Sequence, residues 1–99
     1  MVSKPRMPRG LGTEGQKLWT SVLAEFEPDR EPHKLRILFD ACKIADYVKR
    51  LDDEAGKQPL TVKGSMGQQV INPIIDKAIT ARGQLAQLLC RLNFATEDD

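Results

Sequence analysis

Apolar residues recur at intervals of three and four in three separate stretches of this chain, and that period commits most of it to amphipathic helix. The first stretch carries Leu18, Trp19, Val22, Leu23 and Phe26. Thr13 offers an N-cap and Gln16 follows it as in a capping box, so the spacing predicts a helix over roughly Glu14–Phe26. The segment Glu27–Pro32 holds Pro28 and Asp29, which interrupt and then cap, and Pro32 fits a first helical turn. A second helix is predicted from there to about Glu54, through Leu35, Leu38, Phe39, Cys42, Ala45, Val48 and Leu51, with Gly56 placed to end it.

Between Leu60 and Ile71 the period changes. Leu60-Thr61-Val62 and Gln69-Val70-Ile71 flank a glycine-bearing stretch, which predicts a short β-hairpin or an ordered loop. Asn72 and Pro73 then give an N-cap followed by a proline at the first helical position, and the third helix runs to about Leu92. Its apolar row, Ile74, Ala78, Ala81, Leu85, Leu88 and Leu92, is widened by Ile75, Ile79, Ala86 and Leu89. That surface exceeds what one neighbouring helix covers. Either the third helix lies between elements of its own chain, or this row is an oligomerisation surface.

The expected fold is therefore mainly α: a three-helix subunit made of a helical hairpin plus a C-terminal helix, with the short hairpin or loop before the last helix. Residues 1–12 interleave basic side chains with Pro5, Pro8, Gly10 and Gly12, and read as a flexible basic arm. Residues 13–93 form a single helical domain, and 94–99 an acidic tail ending in Glu97, Asp98 and Asp99. A core this small gains from support by partner subunits.

The 40% hydrophobic and 29% charged composition is that of a globular protein rather than a disordered one. No apolar run has the length of a membrane span and no secretory h-region follows the N-terminal basic residues, so the expected location is the cytoplasm, without membrane partners. Cys42 and Cys90 both sit in apolar helical patterns and read as reduced core thiols. With His33 the only histidine, neither a nucleophilic triad nor a zinc site can be assembled, and no metal or cofactor is expected. Gly64-Ser65-Met66-Gly67 lacks the lysine and hydroxyl ending of a phosphate-cradling loop and reads as a turn. Asp52 and Asp53, beside Lys49 and Arg50, read as a solvated ion-paired surface.

The formal net charge of +1 hides an uneven distribution. Lys4, Arg6, Arg9 and Lys17 crowd the start, while Arg36, Lys43 and Arg50 recur every seven residues on one side of the second helix. Both sets are candidate DNA-binding residues, because cations near phosphates release condensed counterions. Asp40, Asp46 and Glu54 lie close to the second set, which leaves open a balanced surface instead. Trp19 in an amphipathic helix reads as a core anchor rather than a base-stacking platform.

The succession Pro8-Arg9-Gly10-Leu11-Gly12, Gly15, Leu18-Trp19, a long helix with Ala41-Cys42 and Ala45-Asp46, Leu60-Thr61-Val62, Gly64, Gly67-Gln68, Asn72-Pro73 and a Leu-rich final helix resembles the small terminase subunits of the P27-like family in tailed phages. The resemblance spans about Pro8 to Leu92. It implies a non-enzymatic subunit that binds double-stranded viral DNA near the packaging start site in the host cytoplasm. It also implies self-assembly, commonly as a ring, and a partnership with a large subunit that carries the ATPase and nuclease. The chain departs from the family in having Asn72 where a His is common, and an acidic rather than basic end, so no C-terminal DNA contact carries over. The other reading of the same features is a small helical DNA-binding regulator or antitoxin acting as a dimer. A protein-interaction adaptor that binds no DNA is a third.

Overall fold

A computed structural model describes residues 5–26 and 31–92 of the chain. The elements run α1 (Thr13–Glu25), α2 (Pro32–Ala55), β1 (Thr61–Lys63), β2 (Gln69–Ile71) and α3 (Pro73–Leu92). The molecule is mainly helical, with the two strands antiparallel and Val62 paired with Val70. Each predicted helix forms within two residues of its expected bounds.

α2 is the spine. Its Leu38, Ala41 and Cys42 are completely buried. One half of α2 supports a core of Leu38 and Cys42 with Leu11, Trp19, Leu23 and Leu92, so α1, α3 and the residues before α1 meet there. The other half packs Val48 and Leu51 against Ala78 and Ala81, with Ile44 and Ile74 at the margin. Leu92 lying near Leu38 while Ala78 lies near Val48 makes α3 antiparallel to α2. The alanines let the two helices approach closely, and Arg82 ties them at the surface by donating to both carboxylate oxygens of Asp52, with Nη1 to Oδ1 at 2.9 Å.

The row expected as an oligomerisation surface is therefore mostly intrachain. Ala78, Ala81 and Leu92 are buried, Ile74 packs on the second core, and Leu85 and Leu88 are half-buried. The physical reason is that α1 covers only part of α2, leaving a second apolar side that α3 fills. Trp19, buried among α1 and α2 side chains, is the core anchor expected of it.

The start of α1 differs from expectation in an instructive way. Thr13 is the first helical residue, and the N-cap is Gly12, which has no side chain to cap with. The cap comes from α2 instead. Asp46 Oδ2 accepts the Gly12 N–H at 2.7 Å, and Oδ1 accepts the Gly15 N–H at 2.7 Å. Gln16 does not complete a capping box; its Nε2 donates to the Leu11 carbonyl at 2.9 Å. A β-carbon on Gly15 would lie 2.5 Å from Asp46 Oδ2 and 2.8 Å from the Cys42 carbonyl oxygen, so only glycine permits this approach. Leu11 is buried and Met7 packs on the same core, so the ordered domain begins ahead of Thr13 and takes in part of the expected arm.

At the other end, Asn72 performs as the sequence suggests. Its Oδ1 accepts the Ile74 N–H at 3.2 Å, and its Nδ2 donates to Gln58 Oε1 and the Pro59 carbonyl, both at 3.0 Å. One buried side chain thus caps α3 and fixes the loop leading to the hairpin. Gly56 ends α2 as expected, with φ −66°. The proposed cap Asp29 and the tail residues Glu97, Asp98 and Asp99 lie outside the described residues.

Asp46→Ala removes two charge-assisted hydrogen bonds and should destabilise the protein by roughly 2–4 kcal/mol, since such bonds contribute about 1.5–3 kcal/mol each and this carboxylate is half-buried. Gly15→Ala should cost a similar amount through collision with the Cys42 carbonyl, whereas Gly83→Ala, with nothing within 4 Å of the new methyl, should stabilise. Urea unfolding of the three variants checks the order.

Candidate nucleic-acid interface

The cations singled out from the sequence divide into two groups once their partners are known. Lys17 pairs with Glu14 at 3.6 Å, and Arg36 pairs with Asp40 at 3.4 Å while lying over the Phe39 ring at 5.9 Å. Lys4 lies outside the described residues. Arg6, Arg9 and Arg50 are exposed and have no ion-pair partner among the described residues. Lys43 donates to the Gly10 carbonyl at 3.4 Å, an exposed contact that leaves its charge uncompensated.

Acids near α2 are occupied elsewhere. Asp46 points to the start of α1, Asp52 holds Arg82, and Asp53 holds Lys49 at 3.0 Å. That last hydrogen bond and charge raise the Lys49 pKa above its ordinary value. Glu54 accepts from Gln58 Nε2 at 3.1 Å. Arg36 has the paired acid of a balanced surface, whereas Lys43 and Arg50 have acids nearby but form no ion pair among the described residues. Asp46 keeps its negative charge, but its oxygens accept from backbone N–H groups 31 and 34 residues away in the chain.

The Lys43–Gly10 contact brings the segment before α1 across the outward side of α2. Arg9 is the residue next to Gly10, whose φ of 91° turns the chain there. Arg50 follows Lys43 by seven residues, or about 10 Å at 1.5 Å per residue. The contact sets the chain beside Arg9 against Lys43, with Arg50 further along the same side of α2, and all three side chains are exposed. Such a surface suits a polyanion backbone, where contacts position the ligand without reading bases. Tyr47, 46% exposed, lies between Lys43 and Arg50 on α2 and adds an amphipathic edge.

Among the described residues no group of three His, Cys, Asp or Glu could hold a metal ion, and no helix is long and apolar enough to cross a membrane. The Gly64–Gln68 turn closes through Gly64 N–H to the Gln68 carbonyl, and Gly67 takes φ 83°, as a tight turn requires. Burial, with a smaller contribution from the Asp46 charge, pushes the Cys42 thiol up to about 11. Cys90, expected in the core, is exposed.

Comparison with known proteins finds no matching family model, no matching curated protein and no matching solved structure.

Two expectations follow from these placements. A thiol reagent at pH 8 should modify Cys90 and spare Cys42 until the protein unfolds, which peptide mass mapping reads directly. Removing Arg9, Lys43 or Arg50 individually should weaken duplex DNA binding and lower the salt slope by about 0.9 for each phosphate no longer neutralised, with smaller changes for Lys17→Ala and Arg36→Ala. Equal slopes for all five variants would place the DNA elsewhere.

Proposed function

We propose that this chain is the DNA-recognising small subunit of a tailed-phage terminase. In this reading it binds double-stranded viral DNA near the packaging start site, assembles with further copies of itself and engages a large subunit that supplies the ATPase and nuclease. It acts in the host cytoplasm and carries no catalytic residue of its own.

The observation that supports the reading most is the role of the residues on which the family resemblance rests. Gly12, Gly15 and Asp46 form one hydrogen-bonded unit, Trp19 is a core anchor, and Asn72 with Pro73 opens α3. These residues hold the fold together, so the motifs on which the reading rests have structural roles in this chain. The unpaired cations Arg6, Arg9, Lys43 and Arg50 supply the electrostatic surface that binding a duplex needs.

Co-expression with the large subunit tests the assignment. A stable complex and a stimulated ATPase are expected, together with salt-sensitive binding to DNA from the packaging start region. A protein that ignores the large subunit and binds only short palindromic duplexes as a dimer would instead be a transcriptional regulator or antitoxin. Absence of DNA binding even at low salt would reject both.

A further inference from the structure

The β1–β2 hairpin holds out an apolar side chain that its own chain does not use. Met66, at the tip, is 89% exposed, well beyond any other large apolar side chain among the described residues. The tip is pre-organised around it. Gly67 N–H donates to the Gly64 carbonyl at 3.0 Å, Gly64 N–H to the Gln68 carbonyl at 2.6 Å, and Met66 N–H to Gln68 Oε1 at 3.0 Å. Gln68 reaches across the turn because Gly64 has no β-carbon, which would lie 2.6 Å from Gln68 Nε2. A turn tied in this way presents Met66 with little conformational freedom left to lose on binding.

Charge around the tip has one sign. Positions 55–75 contain Lys57 and Lys63 and neither Asp nor Glu. Both lysines are exposed and form no ion pair among the described residues. The register sets Lys63 opposite Gln69 and Thr61 opposite Ile71, and these four make the exposed face, with Val62 and Val70 half-buried on the other. Arg50 stands at the same end of the molecule, lining one surface hollow with Ile74, the second residue of α3. The acids of that hollow, Asp53 and Glu54, are engaged by Lys49 and Gln58.

The shape of the patch narrows its ligand. Three-residue strands offer too short an edge to template a further strand. A lone apolar side chain between Ser65 and Gly67, with glutamines and a lysine behind it, is no hydrophobic groove for a partner helix. It has the form of a wedge beside cations.

We infer that the hairpin is a second DNA-contacting element, in which Met66 wedges between adjacent base pairs from the minor groove while Lys63 meets the flanking phosphates. The inference rests on the duplex-binding reading above and adds to it a mode of contact, deformation of the DNA, that Arg9, Lys43 and Arg50 do not provide. Apolar wedges of this kind unstack one base step and kink the duplex toward the major groove. Pyrimidine–purine steps open most easily, so the tip selects where the duplex bends without reading bases by hydrogen bonds.

The test uses the full chain and a duplex with 2-aminopurine at a central thymine–adenine step and an energy-transfer pair on its ends. Wild type is expected to raise the 2-aminopurine fluorescence and bring the ends closer. Met66→Ser, at a position with no packing to lose, should keep the wild-type circular dichroism, abolish both signals and weaken binding to the intact duplex about tenfold. On a duplex mismatched at that step, where the stack is already open, the loss should shrink to about twofold. Met66→Leu should restore both signals, and Lys63→Gln should keep the bend while lowering the salt slope by about 0.9. Wild-type binding with neither signal, or Met66→Ser equal to wild type on the intact duplex, would overturn the wedge and leave the duplex-binding reading standing. A wild type that binds no duplex even at low salt would overturn both.

Discussion

Asp46 accepts two backbone N–H groups at the start of α1, and the position of α1 on α2 depends on that carboxylate. A helix leaves its first N–H groups without intrahelical partners, and most helices satisfy them from the residue next door. Here Gly12 has no side chain to offer, and α2 supplies the acceptor from a turn past Cys42. The consequence is a cap that is also a tertiary clamp. It fixes how α1 lies along α2, and with it Leu11, Trp19 and Leu23 over Leu38 and Cys42. Gly12 and Gly15 are the cost of the arrangement: a β-carbon at either would lie within 3 Å of the Asp46 carboxylate.

That clamp also decides the electrostatics of the outward surface. A carboxylate directed at backbone N–H groups does less to neutralise the lysine and arginine beside it. With Asp46, Asp52 and Asp53 each directed at a definite partner, Lys43 and Arg50 remain available, and the Gly10 carbonyl on Lys43 adds Arg9 to them. A net charge near zero is therefore compatible with exposed cations that lack an ion-pair partner among the described residues.

Much of the fold was legible because the relevant signals are local. The periods of three and four gave the helices, and the change of period between Leu60 and Ile71 gave the hairpin. Asn72-Pro73 gave the start of α3, since cap and first turn are adjacent in the chain. The Asp46 clamp was illegible for the opposite reason: nothing near Asp46 in sequence announces Gly12 or Gly15. Thr13 was a plausible cap on local grounds and lost to a distant carboxylate. The row Ile74, Ala78, Ala81, Leu85, Leu88 and Leu92 was correctly seen as apolar, but periodicity cannot say whose surface covers it. The candidate interface was half legible: its cations could be named, but which of them lack an acid depended on tertiary contacts.

The three glycines with something to say about packing illustrate how one residue type serves two ends. At Gly12 and Gly15 the missing β-carbon is filled from within the chain, and a methyl there would displace Asp46 or meet the Cys42 carbonyl. At Gly83 the space is open, and the helix gives up propensity for no intrachain contact.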